Sequence, residues 1–399
     1  MKKKISILLI VLLASMTEIV GQRQAFSDEL IKVDVTKNYS QKKELILQDF
    51  MDVEYIPLET TDKFVHQGFV QDIGKKFIIV TNVDISNGDI FIYSRTGKAI
   101  RKINRKGNGG EEYVNFFSIT LDEDNNEMFV NDTFKRRVMV YDLNGKFKRS
   151  FKHIEKTKDT YWTEIFNYDK DNLICYDIWN EKNRAFVIVS KKDGSITHEI
   201  KIPYEKNFEI IYESVSEIVK TAVGPNQIKG SITKTVTTPS QYRTIIPYKD
   251  NWTLLELWSD TVYSFLPDYK LSPLLVRTPS INSMTPKVFL LLGLCTDRYF
   301  FMETMKRDSK EFLRTPFLYD RQEKAFFSYA VYNGDYSFKK EMYMSYMPIN
   351  QEIESCRSIG AHWLVEFYKK GELKGKLKEI ASKLDEEDNP VVMLIKHKK

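Results

Sequence analysis

Two stretches of the chain say nearly the same thing. Ile90–Ile103 reads IFIYSRTGKAIRKI, and 48 residues later Val138–Phe151 reads VMVYDLNGKFKRSF. Tyr, Gly, Lys and Arg fall at the same offsets, and the apolar positions match almost throughout. A period of this length belongs to chains built of repeated units, each unable to cover its own apolar face. Further copies follow. Phe186–Ile200 (FVIVSKKDGSITHEI) places Gly194 where the earlier copy has Gly145. Phe317–Val331 (FLYDRQEKAFFSYAV) keeps the Tyr-Asp pair but has Glu323 for the glycine, and Val262–Val276 is a weaker copy. Each reads as strand, tight turn, strand, with Asn-Gly, Asp-Gly or another polar turn between apolar alternations.

A second hairpin precedes each copy: 69–82, 116–132, 161–177, 242–257, 289–304 and, for a sixth unit, 355–371. Two hairpins make four strands per unit. The composition agrees, with 22 Tyr and 25 Phe in a chain that is 42% hydrophobic, since aromatics favour strands. Six such units over about 350 residues define an all-β chain, a six-bladed β-propeller of four-stranded antiparallel blades. After the sixth hairpin the pattern changes. Leu373, Leu377, Ile380, Ala381 and Leu384 form one helical stripe, which predicts a helix over about 371–386 ended by Asn389-Pro390. Val391–Lys398 returns as a strand. The last blade is then one strand short, and Val53–Glu59 (VEYIPLE), with a proline suited to an edge, is expected to supply it and close the ring. The propeller accordingly covers 46–399, behind a lead segment at 22–45. Two insertions interrupt the period, at 205–240 and, rich in Tyr and Met, at 332–354.

Lys2, Lys3 and Lys4 precede a ten-residue apolar run, Ile5–Ala14. That is short for a bilayer span and right for a signal peptide over 1–21. No cysteine follows it for a lipid anchor. The expectation is an exported chain, periplasmic or secreted, with no transmembrane span after processing. The formal charge of +5 includes a net +2 from the leader. What remains is small and spread over both signs, which argues against nucleic acid as a partner. Cys175, Cys295 and Cys356 are an odd number at wide spacing, so they form no disulfide framework. Cys175 and Cys295 lie in apolar strand-like runs and read as buried, inert thiols.

VEYIPLETT near the start, GKAIRKINRKGNGGEEY after the first blade, and LKEIASKLDEEDNPVVMLIKHK at the end resemble the exported six-bladed propeller proteins of Bacteroidetes. Those proteins are related to NHL-repeat propellers. The resemblance runs from about Val53 to Lys398. It implies the propeller fold and an exported location. Many members carry a lipobox cysteine that this sequence lacks. Propellers host binding, lyase, hydrolase and scaffold roles alike, so the resemblance implies little about chemistry.

The connection containing Arg105, Gly107, Gly109, Gly110, Glu112 and Tyr113 joins one blade to the next. A Gly-rich turn lets backbone approach a ligand closely, and Arg105 with Lys106 can meet an anion. The same residues also make a turn held by Glu112 and Tyr113, and the spacing is not that of a P-loop. Asp132 with Arg136 or Arg137 flanks the next turn. In NHL-like repeats such a pair holds the blade, and an arginine aimed at the channel mouth can also bind a carboxylate or phosphate. Trp162, Trp179, Trp252, Trp258 and Trp363 either stack on sugar rings or wedge between blades. Trp162, at the start of an inner strand, is the best placed. Leu121–Glu127 has a D-x-D-x-N pattern, but Glu127 stands where calcium loops need glycine and Thr133 where they need glutamate, so it reads as a hairpin tip. The five histidines, His66, His153, His198, His362 and His397, show no zinc spacing, and no nucleophile elbow is present. The expected ligand-contact set is therefore Arg105, Glu112, Tyr113, Arg136 and Trp162, with no metal and no cofactor. The expected role is a non-catalytic binding or scaffold module for a glycan, a peptide or an envelope protein at the axial face. The alternative is an NHL-like lyase or hydrolase.

Overall fold

A computed structural model describes residues 30–132, 134–153, 160–178, 183–204, 242–248, 250–308, 311–344 and 349–398. The predicted signal peptide and the 205–240 insertion lie outside them, as does Trp179. The fold is a six-bladed β-propeller on the four-stranded antiparallel plan. Lettering the strands A to D from the channel outward, blade 1 is Phe69–Ile73, Phe77–Thr81, Asp89–Ser94 and Ala99–Asn104. Blade 2 is Ser118–Asp122, Glu127–Asp132, Arg137–Asp142 and Phe147–Lys152. Blade 3 is Trp162–Asn167, Asn172–Asp177, Phe186–Ser190 and Ile196–Ile200. Blade 4 is Ile245–Tyr248, Asn251–Leu254, Thr261–Phe265 and Leu271–Thr278. Blade 5 is Val288–Cys295, Tyr299–Asp308, Glu311–Asp320 and Ala325–Tyr332.

The core is six layers, one between each pair of neighbouring blades. Ile79, Ile90 and Ile92 of blade 1 pack on Ile119, Leu121 and Met139 of blade 2. Their strand neighbours Ile78, Val80, Phe91 and Tyr93 point the other way, onto blade 6. Each middle strand is thus buried on both faces. That is why FIIV and VMVY are continuous apolar runs rather than half-polar alternations.

The repeated residues turn out to be the blade-to-blade joints. Gly145 and Gly194 take φ of +83° and +74° in the C–D turns. A side chain on Gly145 would come within 2.9 Å of Ile103 of the preceding outer strand, and one on Gly194 would collide with Phe151. Glycine is needed both for the left-handed backbone and for the close approach. The repeated arginines act one turn further along. Arg101 donates to the Leu143 carbonyl at 3.1 Å and Arg149 to the Lys191 carbonyl at 3.0 Å, each in the next blade's C–D turn. The Tyr141 hydroxyl donates to the Glu111 carbonyl at 2.7 Å, tying a C strand to the connection that enters its blade. In blade 5 the left-handed turn residue is Lys324, φ +52°.

The last blade departs from the plan. Met51–Pro57 pairs antiparallel with Val391–His397, so the N-terminal strand does close the ring. Its end abuts Gly97, just as Ile103 abuts Gly145, which puts it in the D place. Val391–His397 is the C strand and Ile353–Ile359 pairs with it. Ile353–Ile359 runs opposite to the inner strand of blade 1: Ser358 bonds the Gly68 carbonyl at one end and Asn350 the Ile73 carbonyl at the other. It therefore stands in the B place, and this blade has three strands among the described residues. The hairpin expected over 355–371 is corrected in its second half, which is helical. Among the described residues, a one-turn helix α1 (Leu47–Phe50) is followed by the helices α2 (Ala361–Lys369) and α3 (Gly375–Ala381). The aromatic and β-branched content of AHWLVEFYK favours a strand locally. Burial of Ala361, Leu364 and Val365 at helical spacing, with Leu364 in one cluster with Leu377 and Ile380, overrides it. The predicted helical stripe forms, over a shorter span.

The lead segment carries more structure than expected. Ile31–Asp34 adds a parallel strand outside blade 4, and Lys42–Ile46 another outside blade 5. The N-terminus thus runs along the rim over three successive blades before closing the ring. Lys43 fixes it, donating to Asp320 at 2.5 Å and Glu323 at 2.6 Å, with its ammonium 4.1 Å above the Phe327 ring. No helix among the described residues is long and apolar enough to cross a membrane.

Candidate binding site in the axial channel

The inner strands splay around the axis and form no ladder with one another, so side chains tie them together. Gln71 accepts from the Ile119 amide at 3.2 Å, and Asp72 from the Leu121 amide at 2.7 Å. Thr120 donates to the Ile165 carbonyl at 2.7 Å, and the Asn167 amide nitrogen donates to the Leu121 carbonyl. Glu164 accepts from the Thr244 and Ile245 amides at 3.0 and 3.2 Å. Polar residues at inner-strand ends are thus a girdle that satisfies backbone groups the sheets leave unpaired.

At the end of the channel where A strands turn into B strands, a cavity of about 650 Å³ opens. Blades 1, 2, 3, 4 and 6 all contribute, and the segment 349–353 reaches between opposite walls. Asn350 donates to the Ile73 carbonyl of blade 1 at 2.6 Å, and Gln351 to the Asn251 carbonyl of blade 4 at 3.1 Å. Phe166, Tyr168 and Trp252 form an aromatic wall, with Tyr168 stacked on Trp252 at 6.2 Å. Glu123 closes the blade 1 turn by accepting from the amides of Lys75, Lys76 and Phe77. Asp122 and Lys191 make a buried ion pair at 2.7 Å, and the Lys191 ammonium also meets the Asp169 carbonyl.

Two acids in the channel wall are perturbed. Burial pushes the Asp72 carboxyl up to about 7, although amide donors from Leu121 and Ile73 and the charge of Arg243 pull it down. Glu164 is also raised by burial, against Arg243 and the amides it accepts from. Arg243 lies over the Phe166 ring at 5.4 Å. Asn167 Oδ1, Gln351 Oε1 and Arg243 Nε belong to the buried side-chain atoms that have no hydrogen-bond partner among the described residues. Asn167 and Gln351 both line the cavity. Buried acceptors of this kind call for a donor from outside the protein.

The five residues expected from sequence do not line this cavity. Arg105, Glu112 and Tyr113 lie in the D-to-A connection, at the other end of the inner strands. Tyr113 is fully buried, accepts from the Arg105 amide at 2.9 Å and donates to the Gly88 carbonyl at 2.7 Å. Glu112 accepts from the Gly109 amide, and the Arg105 guanidinium donates to the Gly145 carbonyl at 2.8 Å. Arg136 is exposed, with φ +49°, in the B–C turn of blade 2. Asp132 accepts from the amides of Val114 and Lys135. Trp162 is buried between blades 2 and 3, stacked on His153 at 4.9 Å. Of the other tryptophans, Trp252 lines the cavity. Leu121, Asp122, Glu123 and Asp124, read in sequence as part of a hairpin tip, also line it, and the rest of the cavity wall was not singled out. The one available signal was a polar residue ending an apolar inner strand, as in FVQDI or WTEIFN.

Cys175 and Cys295 are buried free thiols, and burial raises the Cys175 thiol well above its ordinary value. Cys356 is pushed to about 12 by burial, with Arg243 and Asp72 acting on it from the channel. Among the described residues no group of three or more His, Cys, Asp or Glu could hold a metal ion.

The molecule is a six-bladed β-propeller with a polar and aromatic axial cavity at one end. The chain belongs to the family described as a domain of unknown function, DUF4934, whose model matches residues 30–396. No curated protein matches it. Among solved structures it is similar to a candidate exported protein of Bacteroides fragilis, at 14% identity and a TM-score of 0.58, covering 93% of this chain and all of that one. It is also similar to a DUF4221 family member of Bacteroides vulgatus, at 8% identity and a TM-score of 0.43, over 88% and 98% of the two chains. A third similarity is to an inactive virginiamycin B lyase of Staphylococcus aureus with quinupristin, at 16% identity and a TM-score of 0.33, over 59% and 62%. The likeness to the Bacteroides fragilis protein speaks to the fold.

Proposed function

We propose that the chain is an exported binding propeller that holds a neutral glycan segment in the axial cavity, free or presented on an envelope protein. The observation that carries this reading is the pairing of the unsatisfied acceptors Asn167 Oδ1 and Gln351 Oε1 with the aromatic wall of Phe166, Tyr168 and Trp252. Sugar hydroxyls donate to such acceptors, and sugar C–H faces lie on such rings. Binding without turnover fits the acids' commitments. Both Asp72 oxygens accept backbone amides, at 2.7 Å from Ile73 and 2.7 Å from Leu121, and Glu164 is held by blade 4. The export half of the reading is supported by the N-terminal sequence and by the description of the Bacteroides fragilis protein.

Thermal unfolding of the chain against neutral oligosaccharides tests it. A ligand at about a hundred times its Kd adds roughly 2.7 kcal/mol. Tyr168→Ala and Gln351→Ala should abolish the shift, and absence of any shift across the panel refutes the glycan reading. Asp72, near neutrality in its titration, favours one second reading: an acid–base enzyme on the same glycan. Turnover of a bound sugar that Asp72→Asn removes while binding persists would establish it.

A further inference from the structure

The left-handed residue of the C–D turn is a glycine in blades 1, 2 and 3: Gly97, Gly145 and Gly194. Blade 4 breaks that pattern. Its turn keeps the backbone bonds of blade 1. The Leu266 amide donates to the Lys270 carbonyl at 2.9 Å and the Tyr269 amide to the Leu266 carbonyl at 3.0 Å, just as Ser94 donates to Lys98 and Gly97 to Ser94. In the glycine's place stands Tyr269, at φ +64°. A bulky side chain in this backbone region is strained, and strain of this kind gathers where a side chain has a task. The glycines let the preceding outer strand close over the turn. Tyr269 instead lays its ring against His198 of blade 3's outer strand, centre to centre at 4.6 Å. It is 45% exposed.

Tyr269 is the outer member of a series. Its ring centre lies 6.1 Å from that of Tyr168, with the planes 31° apart, and Tyr168 lies 6.2 Å from Trp252 with the planes 29° apart. Tyr168 and Trp252 already line the axial cavity. Trp252 belongs to a B strand, Tyr168 to an A–B turn, Tyr269 to a C–D turn and His198 to a D strand. The rings therefore run outward from the channel mouth along the joint between blades 3 and 4, on the face where the cavity opens.

A layer built only for packing would bury its outermost ring as it buries Phe265. Here exposure rises outward, from 7% at Trp252 to 45% at Tyr269. The charges that flank Tyr269 in the turn, Asp268 and Lys270, pair with each other at 2.6 Å, so the outer platform offers a ring rather than a fixed charge. Rings with similar tilt, stepped by roughly the length of one sugar, suit the C–H faces of consecutive sugar units. We propose that the glycan segment held in the axial cavity continues outward over Tyr168 and Tyr269, so that the ligand is a linear neutral chain of at least three units. This rests on the glycan reading above and adds the length of the ligand and its direction across the molecule.

Calorimetric titration of the full chain with neutral gluco-, xylo- and manno-oligosaccharides of one to six units tests the assignment, beside a proline-rich peptide as an extended ligand of another class. In the series that binds, affinity should rise roughly threefold to tenfold with each added unit up to three or four, and then level off. Tyr269→Gly restores the turn of blades 1 to 3 and should keep or raise the parent's melting midpoint. It should weaken the tetrasaccharide roughly threefold to tenfold and leave the disaccharide unchanged. Tyr269→Phe, which keeps the ring, should bind like the parent, and Tyr168→Ala should remove binding of both lengths. The proposal is overturned, with the axial reading left standing, if longer chains bind no tighter than the disaccharide or if Tyr269→Gly leaves the tetrasaccharide unaffected. Tighter binding of the peptide would overturn the glycan and put a polypeptide on the same rings. If no sugar of any length binds, the axial reading falls and this one with it.

Discussion

Blade 2 and blade 6 do the same job by different means. Blade 2 is one unbroken stretch of chain, and every joint to its neighbours is made by residues at fixed offsets: Gly145 under Ile103, Arg149 on Lys191, Tyr141 on Glu111. Blade 6 is assembled from both ends of the chain, with three strands and two helices among the described residues, and its outer strand arrives only after the N-terminus has skirted blades 4 and 5. The contrast shows what a propeller layer requires. It needs an apolar face of the right area and a close fit at the outer turn; it does not need four strands or local connectivity. α2 and α3 cover blade 5 with Leu364, Leu377 and Ile380 where other blades would use a strand.

Breaking the two blades should give unequal results. A chain beginning at Leu58 loses the D strand of blade 6 and the seat of Gly97, so it should show no cooperative unfolding transition by circular dichroism. A chain beginning at Gln41 loses the strand outside blade 4 and the Tyr39 ring stacked on Phe326 of blade 5, keeps the closing strand, and should still unfold cooperatively, at a lower midpoint. Next in size is Gly194→Ala, which forces a side chain against Phe151 at a left-handed φ. It should cost about 2–4 kcal/mol in denaturant titration. Lys324→Gly, at the turn of blade 5 that already accommodates a side chain, should stay within about 1 kcal/mol. Equal effects at the two sites would refute the close-fit account.

Acid probes the N-terminal rim segment that Lys43 fixes to Asp320 of blade 5. Burial by itself raises the Asp320 carboxyl, but donors from Arg298 and Lys43 and the amides of Glu323 and Gln322 prevail and hold it at about 2. The folded value lies below the ordinary 3.8. Its contribution, on the order of 2 kcal/mol, is therefore complete above about pH 4 and is lost as the pH falls toward 2. Asp320→Asn should flatten that part of the stability–pH curve. The smallest expected effect is Tyr141→Phe, which leaves the Glu111 carbonyl without its donor at a cost of about 1 kcal/mol. A loss confined to blade 2 protection in hydrogen exchange would sharpen the picture of locally made joints.

Much of this was legible in the chain. Strand pairs at a 48-residue period, buried on both faces, announce radial layers, and the lone strand VEYIPLE announces closure. Three features were not legible. Lys42–Ile46 reads as a polar segment, because an outermost strand needs only its backbone and a few contacts. Ala361–Lys369 carries strand-like residues whose helical state is settled by partners in α3. The channel cavity is lined by residues drawn from five blades, at positions such as Asp72, Asn167, Trp252 and Gln351 that are far apart in sequence.

The repeated Gly, Tyr and Arg determined the blade and its joints by themselves, because each acts on a neighbour at constant separation and the backbone geometry of the turn is local. Which residues face the axis together was decided only by ring closure. Closure sets how far the inner strands splay, and the splay leaves the amides that Asp72 and Glu164 satisfy and the acceptors on Asn167 and Gln351 that no donor among the described residues reaches. No spacing along the chain encodes that distance.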